Sequence, residues 1–228
     1  MSFKFKGKSK KPKGKTQMQI VCIDKIDSTH HFMCKKARKE GFEREFALLA
    51  FEQSSGVGSR DNAWCSKKGN LHLSFGLKRE FLASDLPLSS LSIYFAFVFK
   101  EVLARKGSKI WLKYPNDLYL DEQKAGGVMS SKIRDFVIIS IGLNVKFAPP
   151  YAATLDINAD LVGLSNEFAK EIEKKQTWKE IFSKYMIEFQ KSKTHSFHYE
   201  GAQVPLGSAL LCDDGSILYQ NKRIYSLR

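Results

Sequence analysis

A chain of 228 residues with 43% hydrophobic and 12% aromatic side chains holds enough apolar surface for a sizeable core. That excludes a wholly disordered protein and fits one large domain, alone or with a small satellite. Lysine and arginine outnumber aspartate and glutamate by 37 to 24, for a net charge of +13. Seven of those lysines fall among residues 1–16, which carry no acid, so the remainder holds only +6, a mild excess that does not by itself call for a nucleic-acid partner. Cys22, Cys34, Cys65 and Cys212 lie far apart with no Cys-x-x-Cys pair, which fits neither a disulfide framework nor a zinc clip. Reduced thiols in a cytoplasmic protein are expected. The most apolar stretch, 93–99, is stopped by Lys100 and Glu101, well short of the ~18 residues that cross a bilayer. The lysine-rich start lacks the apolar segment of a signal peptide, so neither membrane insertion nor secretion is expected.

In chain order, residues 1–16 read as a basic flexible arm without an apolar pattern. Residues 18–23 read as a strand, and Asp27 and Ser28 offer capping oxygens to a helix ending near Gly41. A buried strand at 46–51 leads into a polar, glycine-containing loop over 52–63, too long to be idle, and then an alternating strand at 70–77. An apolar helix at 89–106 closes on Gly107. A meander of strands at 110–113, 118–120, 125–132 and 136–144 follows, and its short links at Pro115-Asn116 and Arg134-Asp135 require antiparallel neighbours. Helices come next at 160–174 and 178–193, the second opened by a Thr177-x-x-Glu180 capping box. Asp213-Asp214-Gly215 between two apolar triplets signals a hairpin, so 196–228 reads as a small β module. The class is α+β with a β appendage.

The segment richest in chemistry is Lys113-Tyr114-Pro115-Asn116-Asp117-Leu118, followed by Lys124-Ala125-Gly126-Gly127. A proline turn leaving a strand presents the polar groups beside it, and two lysines flanking a short hairpin can converge on one anion, which suggests phosphate chemistry. Three further elements accompany it: Gln53-Ser54-Ser55-Gly56-Val57-Gly58-Ser59-Arg60 with Trp64 downstream, Gly69-Asn70-Leu71-His72-Leu73-Ser74, and Ile141-Gly142-Leu143-Asn144-Val145.

In this order and spacing these residues resemble the catalytic domain of the biotin protein ligases. The family's Lys-Trp-Pro-Asn-Asp-Leu element resembles 113–118 with one Trp-to-Tyr change. Its Lys-x-x-Gly element matches 124–127, its Ile-Gly-x-Asn-Val element matches 141–145, and its Asp-Ser-Thr-Asn start matches Asp27-Ser28-Thr29-His30 except at the last residue. The resemblance implies a mixed, largely antiparallel sheet flanked by helices, of the class II synthetase and biotin ligase type. It implies a catalytic domain over 17–195, with 196–228 as an abbreviated SH3-like β module. It also implies an ATP-dependent, Mg²⁺-assisted ligase that makes biotinyl-5'-adenylate and passes biotin to a lysine of a biotin carboxyl carrier protein, a domain of a biotin-dependent carboxylase. A homodimer through a sheet edge is a habit of the family.

By the same resemblance, Lys113, Lys124 and Asp117 are the catalytic candidates. Lys113 would hold the biotin carboxylate and the bridging phosphate oxygens, and Asp117 would orient or deprotonate the incoming lysine. Ser28, Thr29, His30, Gln53, Gly56, Val57, Gly58, Ser59 and Trp64, with Lys113, would form the biotin site, while Arg60, Asn116, Lys124 and Asn144 would meet ATP. The metal ligands are left open. His30 departs from the family's Asn, and an imidazole replaces only part of an amide's donor and acceptor pattern. Val57 and Ser59 stand where the family's glycine loop carries arginines, which implies weaker retention of the adenylate. A winged helix-turn-helix needs roughly 60 residues, so the 25 before Ile26 are not expected to bind DNA.

Two other readings stay open from the residues. A lipoate or octanoate protein ligase shares this fold, but its Arg-Arg-x-Ser-Gly-Gly-Gly loop has no counterpart here. A basic nucleic-acid-binding protein would use the +13 charge and show salt-sensitive affinity that vanishes without the arm. Deleting residues 2–16 is expected to leave carrier biotinylation at physiological salt unchanged. A large fall in that assay would show that the arm docks an acidic carrier.

Overall fold

The computed structural model describes residues 18–58 and 63–225. The arm over 1–16 and the loop positions Ser59 and Arg60 lie outside the described residues. Strand β1 (Gln19–Ile26) runs into helix α1 (Thr29–Lys39) through Ser28, whose extended backbone and hydroxyl cap the helix by accepting from the His31 N–H. Lys36, Arg38 and Lys39 in the last turn complement the helix dipole, and Gly41 at φ 72° turns the chain away. Strands β2 (Phe46–Gln53) and β3 (Leu71–Lys78) precede helix α2 (Leu91–Arg105). The meander follows as β4 (Trp111–Lys113), β5 (Asp117–Leu120), β6 (Gln123–Ile133) and β7 (Phe136–Leu143).

These seven strands form one sheet in the order β1-β2-β3-β7-β6-β5-β4. β1 and β2 pair in parallel, because α1 carries the chain back between them, and every other neighbouring pair is antiparallel. The mixed, largely antiparallel sheet expected from the sequence is therefore present. The apolar segment that reads as one helix over 89–106 begins instead as a 3-10 turn, Leu88–Ser90, before the α-helix proper.

Alternation along the strands assigns the two faces. Leu71, Leu73, Phe75 and Leu77 of β3 and Val137, Ile139, Ile141 and Leu143 of β7 enter the main core with α2 and with helices α3 (Leu161–Glu173) and α4 (Trp178–Phe189). The opposite face has a smaller cluster in which Met33, Cys34 and Ala37 of α1 meet Phe42, Leu48, Ile133 and Ile138. α4 opens with the expected Thr177–Glu180 capping box but ends at Phe189, and 190–194 continues as a 3-10 turn.

The last segment forms the hairpin β8 (Ser196–Tyr199) and β9 (Ala202–Pro205) and a three-stranded sheet of β10 (Leu210–Leu211), β11 (Ile217–Tyr219) and β12 (Lys222–Ile224). Its buried residues Val204, Leu206, Ala209, Ile217 and Ile224 belong to the main core cluster. The Trp178 indole donates to the Asp213 carbonyl at 2.7 Å, tying α4 to the β10–β11 turn. Among the described residues no helix is long and apolar enough to cross a membrane.

Phe168 of α3 is fully buried and stacks edge-on against Phe75 at 5.4 Å and Phe99 at 4.9 Å, joining sheet, α2 and α3. Phe168→Ala is expected to lower the unfolding free energy by about 3–5 kcal/mol in denaturant titration. Ile187→Ala, at a residue 76% exposed on α4, is expected to change it by less than about 0.5 kcal/mol.

Candidate active site

Helix α1 covers only part of the second sheet face, and beside it lies a cleft of about 470 Å³, including space open to solvent. Ten of the residues singled out in the sequence line it: Ser28, Thr29, His30, Gln53, Val57, Gly58, Trp64, Asn116, Asp117 and Lys124. They arrive from the start of α1, the end of β2 and the loop after it, and the β4–β5 turn with the start of β6. Met129, Ser140, Ile141 and Gly142 complete the wall. Gly56, Lys113 and Asn144 are not among the residues that line it.

One side of the cleft is a continuous line of polar groups. The Thr29 N–H and hydroxyl both meet Gln53 Oε1, at 2.8 and 3.1 Å, and Gln53 Nε2 donates to Ser66 Oγ at 3.0 Å. Ser74 Oγ lies 2.8 Å from Thr29 Oγ1 and 2.7 Å from Ser140 Oγ, and His30 Nδ1 lies 2.8 Å from Ser140 Oγ. The other ring nitrogen of His30 meets Ser131 Oγ at 3.2 Å and Cys34 Sγ at 3.5 Å. Ser28 caps α1 and lines the cleft at once. Two glycines make room for this wall: a Cβ on Gly142 would lie 2.7 Å from the Trp64 ring, and one on Gly56 would collide with Ser66 Oγ beside Gln53.

The other side carries charge. Lys124 Nζ lies 2.6 Å from Asp117 Oδ1. Lys113 is Asp117's partner across the β4–β5 ladder, so the two lysines flank one carboxylate. The Lys113 ammonium turns to Tyr119, donating to its hydroxyl at 3.3 Å and sitting 5.0 Å from the ring centroid. Burial lowers the pKa of Lys113, opposed by the attraction of Asp117 and helped by repulsion from Lys124. The Tyr114–Pro115 peptide at this turn is cis, and the Asn116 side chain donates to the Val128 carbonyl, which holds the turn against β6.

Asn144 occupies the end of β7, where its amide donates to the Ala153 carbonyl at 3.3 Å and accepts from Asn70 at 3.4 Å. Asn70 Oδ1 in turn accepts from the backbone N–H groups of Val145, Lys146 and Phe147, fixing the loop after β7 behind Lys124. Ser74, Ser131 and Ser140 escaped the sequence-based choice of site residues. The signal was available for Ser74 and Ser140, since strand alternation puts both on the face opposite α2, α3 and α4, where a buried polar residue needs a reason.

Burial holds the His30 pKa down at about 4, helped by the nearby charges of His31 and Arg38. A histidine depressed from its ordinary 6.5 binds its proton more readily in the unfolded chain. Its contribution to stability is thus complete above about pH 6.5 and is lost as pH falls toward 4, by up to about 3 kcal/mol. His72, buried on the same sheet face and also lowered by burial, steepens that slope. His30→Asn is expected to flatten the fall in unfolding free energy between pH 6.5 and 4, as read from urea titrations at each pH.

Residues 22–146 match the model of the Biotin/lipoate A/B protein ligase family. The chain is 31% identical over 134 residues to the bifunctional ligase/repressor BirA of Escherichia coli, a match covering 57% of this chain and 40% of that protein. It is 32% identical over 128 residues to biotin–protein ligase 2 of Arabidopsis thaliana, covering 52% and 39%. The matched part thus spans about two fifths of the length of these curated relatives. A solved structure of biotin acetyl coenzyme A carboxylase synthetase from Helicobacter pylori with bound biotinylated ATP is 37% identical, with a TM-score of 0.87, over 92% of this chain and all of that one. Biotin protein ligase from Aquifex aeolicus, solved in complex with biotin and ATP, shares the fold at 22% identity and a TM-score of 0.67. With the family model covering more than half of its length, the chain belongs to the Biotin/lipoate A/B protein ligase family.

Proposed function

We propose that this protein uses ATP to activate biotin as biotinyl-5'-adenylate and then transfers the biotinyl group to a lysine of a biotin carboxyl carrier protein. The observation that carries this reading is that one cleft gathers hydrogen-bonding groups suited to a ureido ring on one wall and a Lys124–Asp117 pair on the other. Trp64 and Met129 supply apolar surface between them.

In the first step a biotin carboxylate oxygen bonds to the α-phosphorus of ATP, and the bond to pyrophosphate breaks. Two anions must approach, so the lysines flanking Asp117 neutralise charge where the new bond forms. By the family resemblance Lys113, the cross-strand partner of Asp117, is assigned to the carboxylate and bridging oxygens, and Lys124 with Asn116 and Asn144 to the nucleotide. In the second step the carrier lysine's nitrogen attacks the acyl carbon and AMP leaves with the bonding pair. That amine has an ordinary pKa of about 10.4 and must first lose a proton, for which Asp117 is the carboxylate in place.

Among the described residues no group of three or more His, Cys, Asp or Glu side chains could hold a metal. Magnesium would enter with the nucleotide, and the chemistry it would supply is to offset phosphate charge.

The test combines the purified protein, ATP and a carrier domain with labelled biotin, and with lipoate in parallel. ATP-dependent incorporation of biotin is expected, and labelling by lipoate alone would replace this reading with the lipoate one. Lys113→Ala is expected to cut pyrophosphate release in the biotin and ATP assay by about a hundred-fold or more in kcat with the melting temperature unchanged. A variant within a few-fold of wild type would remove Lys113 from the mechanism.

A further inference from the structure

The polar wall of the cleft has a direction that follows from a single backbone group. The Thr29 N–H can only donate, so the Gln53 atom 2.8 Å away is the amide oxygen, and its NH₂ end faces Ser66. Thr29 Oγ1 lies 3.1 Å from that same oxygen and must donate its own proton there. With that proton committed, Ser74 must donate to Thr29, and Ser140, 2.7 Å from Ser74, must donate to Ser74. Nothing is left for Ser140 to give His30, so Nδ1 of His30 carries a proton and donates to Ser140. Burial keeps the ring neutral, which leaves Nε2 bare to accept from Ser131.

Each of the three hydroxyls in this relay has therefore committed its proton and one lone pair to a protein neighbour, and keeps one lone pair. Thr29 and Ser140 line the cleft. Ser28 beside them is the opposite case: its oxygen accepts from the His31 N–H, and no acceptor for its proton is found among the described residues. We propose that the relay from His30 through Ser140 and Ser74 to Thr29 makes this wall an acceptor surface that selects the N–H edges of a cyclic urea. Ser140 is then a further binding residue and His30 the positioning residue that sets its proton. This inference rests on the reading of the cleft as a biotin site. A ureido ring offers two N–H groups and one C=O, and the wall supplies the matching types of partner in the free lone pairs of Thr29 and Ser140 and the hydroxyl proton of Ser28. A ligand that puts a ring oxygen where the urea has N–H sets lone pair against lone pair, and the hydroxyls cannot turn to greet it, because reversing any one of them breaks the chain anchored on Thr29.

Two measurements test this on the full chain. Nitrogen-15 NMR of histidine-labelled protein without ligand, with His30 assigned by its loss in His30→Asn, is expected to show the Nδ1–H tautomer. The Nε2–H tautomer would overturn the relay whatever the cleft binds. Calorimetric binding then compares biotin with the two cyclic carbamates in which one or the other ureido N–H is replaced by ring oxygen. Wild type is expected to bind both carbamates about ten- to a hundred-fold more weakly than biotin, the size of one unsatisfied buried hydrogen bond. Ser140→Ala is expected to lose the discrimination against one carbamate and keep it against the other. His30→Ala weakens that same discrimination, and His30→Asn, whose amide can still donate to Ser140, restores it. Undiminished discrimination against both carbamates in Ser140→Ala, or a His30→Asn variant no better than His30→Ala, would overturn the proposal. Absence of biotin binding and incorporation in wild type would instead reject the ligase reading, with the tautomer measurement still deciding the relay.

Discussion

An eleven-residue helix cannot cover a seven-stranded sheet, and the site follows from that mismatch. α1 is about 16 Å long, whereas seven strands side by side span roughly 29 Å. The opposite face faces three helices and is sealed with apolar side chains. Beyond α1 the second face has to be finished with something other than a hydrophobic layer. Along the cleft it is finished with Thr29, His30, Gln53, Ser74 and Ser140, which satisfy one another, because a buried polar group without a partner costs more than a hydrogen bond returns. The cleft is thus the uncovered part of the sheet, and its polarity is a condition of its existence.

Satisfying those groups in a line also ranks them. One backbone N–H that cannot reverse fixes an amide, the amide fixes a hydroxyl, and the constraint passes through two serines to an imidazole some distance away. Such a wall is preorganised, and its hydrogen-bonding pattern does not adapt to whatever enters. The replacement of the family's asparagine by His30 is accommodated in the same way, since the ring is clamped between Ser140 on one nitrogen and Ser131 and Cys34 on the other.

The charged end of the cleft obeys a different rule. Lys113, Asp117 and Lys124 come from three strands within one meander, so their mutual position is set by hairpin register and not by distant packing. The turn between the first two is braced from both sides, by Asn116 on β6 and by the backbone N–H of Tyr114 on Ser192. Charges placed on short, locally determined elements hold their spacing without help from distant packing.

That contrast separates what was legible in the sequence from what was not. The capping box at Thr177, the hairpin at Asp213-Asp214-Gly215, the meander and the grouping of Lys113, Asp117 and Lys124 were readable, because each depends on neighbours within about a dozen residues. The 3-10 turns at either end of the helical runs were not, since propensity does not distinguish the last turn of an α-helix from a tighter one. Asn144 was legible as part of a motif, but its bonds to Asn70 and Ala153 appear only once β7 and the loop beyond it are folded together. The polar wall lay furthest from view. Thr29, Ser74 and Ser140 are 45 and 66 residues apart in succession and meet only because β3 and β7 are adjacent and α1 lies across them. The sequence by itself determined which residues could do chemistry and which local elements carry them. Which hydroxyl gives its proton to which was decided by the tertiary structure, because a hydrogen bond's direction depends on every other partner each group has found.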